Sequence, residues 1–555
     1  MKTSRRSLNR AVILGLLIFL HSGLSACAAP KPVEVKPVLG LPQGTDSFPW
    51  WNDSIFYEVF VRSFYDSDGD GIGDLKGLIE KLDYLNDGDP HTNSDLGVSG
   101  LWLMPVHPAS SYHGYDVTDY FQINPDYGTI EDFQRLLQEA HRRGMRVLID
   151  LVLNHTSSQH PWFIASQEPN SPYRDWYVWS ETEPRGSGWY AGDHGYYLGI
   201  FDDGMPDLNY RNPAVDAQML DVARFWLEEV GVDGFRLDAA KHIVEEGTIL
   251  SHSASNHAWL AHFRSYVVNL KPEMLILGEV WDNSVAVSQY LNGDELHLAF
   301  DFDLAQAILS SVRVGSAEAL ERILARDLKL FPTGQFASFL SNHDQDRTML
   351  VVGDDLAKAR LAAGLLLTLP GVPFLYYGEE IGMVGKKPDE WIRTPMQWSS
   401  GANAGFTAGV PWEMVNPDYP QKNVEAQLAD NNSLLSAYRA LIRLRQRHAA
   451  LRVGETLLVQ TSDPAGFAFL RFTPDEVVLV VINLGKQALP DVRLDLSEGP
   501  LLGKLRVARL YSSAAQQRGT IRPPQVNSSG GFDEYRFPLE LPGNSIFVLQ
   551  LLPEG

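Results

Sequence analysis

The sequence of 555 residues contains a single cysteine, Cys27, and has few basic residues relative to its acids. One cysteine excludes an intrachain disulfide and a zinc site built from several thiolates. The 46 lysines and arginines stand against 69 aspartates and glutamates, so the formal net charge is −23. A nucleic acid is therefore not an expected partner, because phosphate binding requires a basic surface. Beyond the first thirty residues, no stretch approaches the roughly 18 apolar residues of a membrane-spanning helix.

What the sequence does contain is typical of a folded globular protein. Apolar residues make up 44% and charged residues 21%, which excludes a disordered chain. At roughly 100–200 residues per domain, the length allows about three to five folded units.

The N-terminus has the layout of an export signal. Basic residues precede the apolar run Ala11–Leu20, and small residues follow it. Leu24-Ser25-Ala26-Cys27 resembles a bacterial lipobox, in which the cysteine is lipidated. We therefore expect a lipoprotein signal peptide at residues 1–26, a proline-rich tether at 27–48, and a lipid anchor at Cys27 on the outer surface of the bacterial envelope or in the periplasm. The alternative is an ordinary signal peptide cut near Ala29, which releases the protein.

Eight short apolar runs, most followed by a polar cluster and then a helical pattern, dominate the middle of the chain. They are Ser54–Phe64, Gly100–Val106, Arg146–Val152, Val232–Leu237, Met274–Leu277, Leu296–Phe302, Phe336–Leu340 and Val372–Tyr377. The helical patterns between them include Ile130–Arg143, Pro213–Val230 and Leu356–Leu369. Runs of this kind predict a parallel sheet buried on both faces. Eight of them favour a closed (β/α)8 barrel, and a doubly wound open sheet is the alternative.

Two segments depart from a plain barrel. Residues 157–211 are long, irregular and rich in tryptophan and tyrosine, which is typical of an inserted subdomain after the third strand. After residue 452 the pattern changes to short alternating strands, which predicts a C-terminal antiparallel β-sandwich. The predicted strands are Thr456–Gln460, Gly466–Phe472, Val477–Ile482, Lys504–Leu510, Tyr535–Leu539 and Ser545–Leu551. We therefore predict a barrel at 49–156 and 212–452, an insertion at 157–211 and a sandwich at 453–555.

Three acids, Asp238, Glu279 and Asp344, follow three different predicted strands. A barrel brings the carboxyl ends of its strands around one opening, so these carboxylates are expected to lie together and to shift each other's pKa. Any one of them alone is more simply a helix cap or a solvated charge. Three acids at one opening favour acid–base chemistry.

A glycine-rich acidic turn follows the first predicted strand. It contains four aspartates and one isoleucine at alternating positions: Asp66, Asp68, Asp70, Ile72 and Asp74. Alternating oxygen ligands on a tight turn are typical of a Ca²⁺ loop, although Gly77 stands where an EF-hand has its glutamate. The alternative is a solvated acidic turn, but four close carboxylates repel one another without a cation.

Several blocks of this sequence resemble the α-amylase family of glycoside hydrolases. The blocks run from about Trp50 to the C-terminus and occur in the family's order: Gly100–Val106, Asp150–His155, Met205–Asn209, Gly234–His242, Gly278–Trp281, Phe339–Asp344 and Gly371–Gly382. The resemblance implies a barrel enzyme that hydrolyses α-glucans with retention of configuration. Met205–Asn209 resembles a group between oligo-1,6-glucosidases and neopullulanases, some of whose members are lipoprotein α-amylases.

The resemblance also implies roles for individual residues. Asp238 matches the nucleophile, Glu279 the general acid/base, and Asp344 the third acid, which binds ring hydroxyls. The residues that match contacts to the sugar or to the nucleophile are Tyr115, Asp116, His155, Arg236, Lys241 and His343. The loop Asp66–Asp74 resembles a structural calcium site of the family, and Asn154 with the carbonyl of His242 matches part of a second, weaker one. Arg393 lies in a motif typical of oligo-1,6-glucosidases, without an assigned role.

The sequence leaves the bond and substrate specificity open between several alternatives. Ala239 and the pair Lys241-His242 favour endo-hydrolysis of α-1,4 bonds in starch, glycogen or maltooligosaccharides. The motif around Arg393 and the calcium loop favour an exo-acting α-glucosidase or oligo-1,6-glucosidase, or a transglycosylase. The non-enzymatic alternative is a surface glycan-binding lipoprotein with an inactive barrel. No protein partner is implied, and the only membrane contact expected is the anchor at Cys27.

Overall fold

A computed structural model describes residues 44–514, 517 and 519–554. The predicted signal peptide, Cys27 and residues 27–43 of the predicted tether lie outside the described residues. Within the described ranges, no helix is both long enough and apolar enough to cross a membrane.

The first half of the chain forms three parallel strands and then a small separate sheet. The parallel strands are β1 (Phe56–Val59), β2 (Gly100–Leu103) and β3 (Arg146–Leu151). The excursion after β3 contains the helix Pro161–Ser166 and a three-stranded antiparallel sheet made of β4 (Trp179–Ser180), β5 (Trp189–Gly192) and β6 (Gly195–Leu198). The predicted inserted subdomain is therefore present after the third barrel strand.

Five more parallel strands complete an eight-stranded sheet. They are β7 (Gly234–Leu237), β8 (Leu275–Gly278), β9 (Leu298–Ala299), β10 (Ala337–Ser338) and β11 (Val372–Tyr376). Each strand pairs with the next along the chain, β11 pairs with β1, and Phe300 bridges to Ala337 between β9 and β10. The sheet is therefore a barrel, as predicted, and the open-sheet alternative is wrong.

Helices connect the strands and cover the barrel. The α-helices are Val61–Phe64, Leu75–Glu80, Leu82–Leu85, Ile130–Arg142, Pro213–Arg224, Ala254–Leu270, Ser284–Ser288, Phe302–Val314, Glu318–Leu330, Thr348–Val351, Leu356–Thr368, Asp389–Ile392, Val424–Leu428, Leu434–Arg447 and Ala449–Val453, together with Pro161–Ser166 above. The predicted helix Pro213–Val230 is α-helical only to Arg224, and one turn of π-helix, Phe225–Val230, completes it. Gly231 ends that turn with φ +100°, a conformation that favours glycine.

Apolar side chains fill the barrel interior. Trp51, Phe56, Trp102, Phe300 and Phe374 belong to one fully buried cluster there. Trp51 comes from a short 3-10 turn that precedes β1, and its indole N–H donates to Gln335 at 3.0 Å. Since Gln335 precedes β10, this tryptophan seals the end of the barrel where the strands begin. The other end, where the strands finish, is left for polar side chains.

The C-terminal region forms seven antiparallel strands. They are β12 (Glu455–Thr461), β13 (Gly466–Phe472), β14 (Val477–Asn483), β15 (Arg493–Leu496), β16 (Leu505–Ser512), β17 (Phe532–Arg536) and β18 (Ser545–Pro553). β12 pairs with β13 along most of its length and with β15 at its end, so the sheet folds over its own core. The predicted sandwich is confirmed, although β15 was not predicted and the predicted strand Tyr535–Leu539 lies three residues too late.

Candidate active site

Charged side chains occupy the interior of the barrel where the strands end. Glu58 on β1, Asp150 on β3 and Arg236 on β7 are each at most 2% exposed. Each lies two residues after an inward-facing position of its strand, since side chains two apart share a face. The register places Asp150 directly beside Arg236. This polar layer supports the acids that follow the strands.

Arg236 is the centre of that layer. Its Nη1 donates to Asp150 Oδ1 and to Asp238 Oδ1, both at 2.7 Å, and its Nη2 lies 2.8 Å from Glu279 Oε2. One guanidinium therefore brings Asp238 and Glu279 together. This arrangement is compatible with the carboxylate separation of about 5–5.5 Å that retaining glycosidases use.

Glu279 is also held by the backbone that follows Asp238. The N–H of Ala239 donates to Glu279 Oε2 at 3.0 Å. Ala239 has φ +47°, a left-handed conformation that is uncommon outside glycine. This turn directs the Ala239 N–H toward β8 and couples the two acids through the chain itself.

Asp344 lies between two cationic side chains, those of His343 and Arg393. Its Oδ2 is 3.0 Å from His343 Nε2, and its Oδ1 accepts from Arg393 Nη2 at 2.9 Å. Arg393 is 2% exposed and also donates from Nε to the His343 carbonyl at 2.9 Å. The arginine that sequence analysis left without a role therefore positions Asp344.

His343 is linked to the barrel interior on both ring nitrogens. Its Nδ1 lies 2.5 Å from Glu58 Oε1, and its Nε2 lies 2.7 Å from the Tyr115 hydroxyl. That hydroxyl donates in turn to Asp150 Oδ2 at 3.0 Å, and the Tyr115 ring stacks on the imidazole. A continuous network therefore joins Glu58, His343, Tyr115, Asp150 and Arg236.

The network sets the protonation of the three acids in different directions. Burial raises the pKa of Asp238 and of Glu279, against the opposing charge of Arg236. Burial also acts to raise the pKa of Asp344, but His343 and Arg393 overcome it and leave this pKa well below its usual value. Asp344 is therefore ionised at neutral pH, whereas Glu279 is shifted toward its protonated form.

The imidazole and the two supporting acids are shifted as well. Burial acts to lower the pKa of His343, but Asp344 and Glu58 outweigh it and raise this pKa to about 9. Burial raises the pKa of Asp150 to about 7 even though Arg236 opposes it, and burial raises the pKa of Glu58. His343 is therefore a cation under ordinary conditions.

The remaining expected contacts lie around this centre. His155 is 1% exposed, its Nδ1 lies 3.1 Å from Asn154 Oδ1, and its Nε2 has no hydrogen-bond partner among the described residues. Asp116 accepts from the Ser111 hydroxyl at 2.6 Å. Lys241 donates from Nζ to the Trp281 carbonyl at 2.6 Å. Buried polar groups normally have a partner, so His155 Nε2 is available to bind one.

Two exposed aromatic rings flank the centre. Phe201, from the excursion, is 48% exposed and packs near the rings of His155 and His242. Trp281 is 46% exposed and stacks on Phe302. A cleft of about 620 Å³ runs past Trp281 and Asp344. Exposed flat rings beside a cleft are suited to stacking on sugar faces.

Three of the predicted calcium ligands converge. Carboxylate oxygens of Asp66, Asp68 and Asp74 lie within 4.8 Å of one another. Asp70 is outside this group and accepts from the Ile72 N–H at 2.8 Å. A cluster of hard oxygen donors fits Ca²⁺. Thr407 donates to Asp66, which ties the loop to a distant segment of the barrel.

For the weaker second metal site, sequence analysis expected Asn154 and the carbonyl of His242 and assigned no further ligands. The Asn154 amide donates directly to the His242 carbonyl at 2.7 Å. Beside them lie two buried acids that sequence analysis did not assign, Asp207 and Glu245. Burial raises the pKa of both, that of Glu245 to about 7. These four groups bring several oxygen atoms together between the excursion and the barrel, and the second metal site stays a prediction.

Sequence reasoning therefore missed Glu58, Asp150 and Arg393 as members of the site. A signal for Glu58 was present, because it is the only charged residue in the apolar run Ile55-Phe56-Tyr57-Glu58-Val59-Phe60. The motif around Arg393 singled this residue out, but its role could not be inferred, because its loop reaches Asp344 only after folding.

Comparison with known proteins agrees with this geometry. Residues 58–454 match the model of the α-amylase catalytic domain. The chain is 42% identical to α-amylase 3 of Dictyoglomus thermophilum over 447 residues, covering 79% of this chain and 86% of that protein. It is 38% identical to the trehalose synthase/amylase TreS of Mycolicibacterium smegmatis over 530 residues, with coverage of 82% and 87%. It is 33% identical to the oligo-1,6-glucosidase of Parageobacillus thermoglucosidasius over 530 residues, with coverage of 80% and 92%.

A solved structure extends the likeness to the whole fold. The crystal structure of the α-amylase from H. orenii superposes with a TM-score of 0.78 at 41% identity, covering 90% of this chain and 99% of that one. The matched catalytic domain makes up most of the chain, and the barrel carries its carboxylates where the strands end. The chain belongs to the α-amylase family of glycoside hydrolases.

Proposed function

We propose that this protein is an α-amylase that cleaves internal α-1,4-glucosidic bonds of starch, glycogen or maltooligosaccharides with retention of configuration. The observation that carries the proposal is the single guanidinium of Arg236 in contact with both Asp238 and Glu279. It supports a pair of carboxylates at one bond, one to attack and one to transfer a proton.

In the first step, Asp238 attacks the anomeric carbon and forms a glycosyl ester. The raised pKa of Glu279 keeps a proton available on this acid, and Glu279 gives that proton to the departing glycosidic oxygen. Arg236 donates to Asp238 and favours its ionised form.

In the second step, Glu279 acts as a base. It takes a proton from water, the water oxygen attacks the anomeric carbon, and Asp238 leaves as a free carboxylate. Glu279 is then protonated again. The charged cluster of Asp344, His343 and Arg393 binds ring hydroxyls and favours the distorted sugar in both steps.

Endo-hydrolysis is supported by the open cleft that extends from Asp344 along Trp281. Trp281 in this cleft and Phe201 near His155 are both half exposed, so two aromatic rings are available to sugar units beyond the cleaved bond. Lys241 donates from Nζ to the Trp281 carbonyl, and in this position its ammonium group can contact sugar beyond the cleaved bond. The alternative, exo-acting or transglycosylating chemistry, is favoured by the position of Arg393, since its motif resembles that of oligo-1,6-glucosidases.

The time course of products from maltoheptaose and soluble starch separates these activities. An endo-enzyme abolishes iodine staining while few reducing ends have formed. Glucose released from chain ends with nearly constant iodine staining would contradict the endo proposal. Products longer than the substrate would identify transglycosylation.

The Asp238→Asn variant tests catalysis itself. Removal of the nucleophile should lower kcat by at least about a thousandfold without lowering the Tm. The matched control is Asp303→Asn, which changes an acid of the same cleft outside the proposed machinery. A wild-type protein that binds but never cleaves α-glucans would favour the glycan-binding alternative.

We also propose a structural Ca²⁺ in the loop of Asp66, Asp68 and Asp74 and a lipid anchor at Cys27. The convergence of three carboxylates supports the first. Such an ion would neutralise the loop and stabilise its folded form. The lipobox-like sequence before Cys27 supports the second. Mass determination of the mature N-terminus tests the anchor, and an unmodified cysteine would refute it.

A further inference from the structure

An unusual concentration of arginines lies at the end of the barrel opposite the catalytic acids. Arg439, Arg443 and Arg447 are spaced four residues apart on the helix Leu434–Arg447, so they share one face of it. Together with Arg509 on β16 and with His448, they line a cleft of about 640 Å³. We call this the arginine cleft.

The cleft is open and rich in positive charge. Arg447 and Arg509 are exposed, and Arg439 and Arg443 are partly buried. Among the described residues that line it, none is an aspartate or a glutamate. A neighbouring cleft of about 430 Å³ shares Arg443 and Arg447, but Asp89 and Asp95 line it as well, so the excess of positive charge is confined to the arginine cleft.

Few acids in the described chain neutralise these arginines. Asp95 pairs with Arg443 at 2.5 Å, and Glu476 pairs with His448 at 2.6 Å. The guanidinium of Arg439 donates to the backbone carbonyl of Asp95, and that of Arg509 to the carbonyl of Gln517. Among the described ion pairs, none includes Arg439, Arg447 or Arg509. Several N–H donors on these arginines are thus free for an anion.

Mutual repulsion adds a cost to this arrangement. Burial lowers the pKa of Arg443, and the neighbouring Arg439 and Arg447 lower it further against the opposing charge of Asp95. In a chain with a net charge of −23, this local excess of cations stands out. The Debye length is about 8 Å at physiological ionic strength, so an approaching anion senses the local cations more than distant acids.

The position of the cleft suggests what it faces. The helix Leu434–Arg447 follows β11, so it runs back toward the end of the barrel where the strands begin. The first described residues lie at that end too, since Arg452 pairs with Asp53 at 2.8 Å and Trp50 donates to the Glu273 carbonyl. The segment that carries the expected lipid anchor therefore joins the folded protein at the same end of the barrel as the arginine cleft.

We propose that the arginine cleft binds the phosphate groups of an anionic phospholipid surface. Arginine suits this role because its planar guanidinium donates two parallel hydrogen bonds to phosphate. With the cleft on the membrane, the catalytic carboxylates face away from it, toward large glucans that cannot enter the lipid layer. The anchor holds the protein near the membrane, and the cleft orients it.

Vesicle flotation of the full chain carrying Cys27→Ser tests the proposal without an attached lipid. Vesicles of phosphatidylcholine alone report the apolar contribution of the leader. Vesicles with phosphatidylglycerol add the electrostatic contributions of the basic leader residues and of the cleft, and the loss of preference in arginine variants of the cleft isolates the second. The Arg447→Gln/Arg509→Gln variant should lower the preference for anionic vesicles about 25-fold at low salt, at about fivefold per charge. The matched control Arg322→Gln/Lys329→Gln removes two exposed charges from another helix and should leave the preference unchanged.

A second variant separates binding from folding. Arg447→Glu reverses the charge of one exposed side chain, so it should lower the preference for anionic vesicles more than Arg447→Gln does. Its Tm and its hydrolysis of soluble maltoheptaose should equal those of the wild type. Equal binding to both kinds of vesicle by the wild type would overturn the proposal, as would an undiminished preference in the double variant. A Tm increase with inorganic phosphate, lost in the double variant and without vesicle binding, would also overturn it and indicate a site for a soluble phosphate.

Discussion

Glu58 determines the charge of the histidine beside the third acid. It contacts His343 Nδ1, whereas Asp344 contacts Nε2, and the two carboxylates together raise the pKa of His343 to about 9. The protonated imidazole in turn helps to keep the pKa of Asp344 low. One inward-facing glutamate on β1 is thus coupled to an acid that follows β10, two strands away in the barrel.

The Glu58→Gln variant should lower the pKa of His343. The alkaline limb of kcat/KM should then move to lower pH, because Asp344 loses its charged partner earlier. The stability that charged His343 contributes is full below its unfolded pKa of about 6.5 and is lost as the pH rises through about 9, so the variant should lose it at lower pH. Imidazole NMR titration and pH–rate profiles measure both effects.

The control is Glu379→Gln, which changes a buried acid elsewhere and should leave the alkaline limb of kcat/KM in place. An unshifted alkaline limb in Glu58→Gln would contradict the coupling.

Ala239 is a second residue whose conformation matters more than its side chain. Its positive φ directs its N–H to Glu279. In the Ala239→Val variant, a β-branched side chain in the left-handed region should cost about 1–2 kcal/mol and lower kcat/KM about tenfold. Ala239→Gly should keep both Tm and activity. A valine variant indistinguishable from wild type would show that the turn is not constrained.

At the scale of elements, the bounds of helices and strands were predicted best where a local sequence signal, such as a helix cap, marks the end of the element. The helix Ile130–Arg142 begins directly after its N-cap Thr129, which forms a capping box with Asp132. Its last residue, Arg142, lies one residue before the predicted end. The strands β9 and β10 are only two residues long, although longer apolar runs were predicted. Strand length depends on where partners across the barrel stop pairing, and a run alone does not contain that information.

The C-terminal strands show the same limit. β15, Arg493–Leu496, has only four residues and one clear alternation, so its pattern is too short to distinguish it from a loop. β17 ends at Arg536, two residues before Pro538, whose nitrogen cannot donate to a neighbouring strand. The predicted strand Tyr535–Leu539 ran through this proline and was wrong in its bounds for that reason.

The acidic loop after β1 is an element whose stability should depend on metal. Chelation with EDTA should lower the Tm, since an ion bound only to the folded state stabilises it by mass action. Asp68→Asn should lower both the Ca²⁺ content and the effect of EDTA, because Asp68 belongs to the converging group. Asp193→Asn, an exposed acid of the excursion, is the control. A protein without bound metal and with the same Tm in EDTA would remove the calcium proposal.

At the scale of the whole molecule, the barrel and the C-terminal sheet share a core. Phe467, Phe469 and Val480 on one face of the sheet belong to the same buried cluster as the barrel helices, whereas Ala468 and Leu470 face the interior of the sandwich. Gly364 on the helix Leu356–Thr368 leaves room for the side chain of Ile546, since an added Cβ would lie 3.1 Å from its Cδ1. The two regions are therefore expected to unfold together.

The Phe469→Ala variant tests this coupling. Loss of a fully buried aromatic ring should cost about 3–5 kcal/mol and lower the Tm of a single calorimetric transition. Arg506→Ala, on an exposed position of β16, should change it little. Two separate transitions, with only the smaller one shifted, would show that the sheet unfolds by itself.

The sequence by itself determined the elements and the acids, because both depend on local patterns. Apolar runs of strand length followed by helical periods predict a barrel, and Asp238, Glu279 and Asp344 each follow such a run. The family's blocks made those three positions specific. Composition and the single cysteine exclude whole classes of protein, because such exclusions depend on how many residues of each type are present and not on their arrangement in space.

Only the tertiary structure decided which groups touch. Arg236 meets Asp150, Asp238 and Glu279, and Arg393 meets Asp344, across separations of 2 to 86 residues. The arginine cleft likewise joins the helix Leu434–Arg447 to Arg509 on another domain. The physical reason is that pKa shifts, ion pairs and clefts depend on distances of a few ångströms in space, and these distances are set by how the barrel closes and how the sheet packs on it.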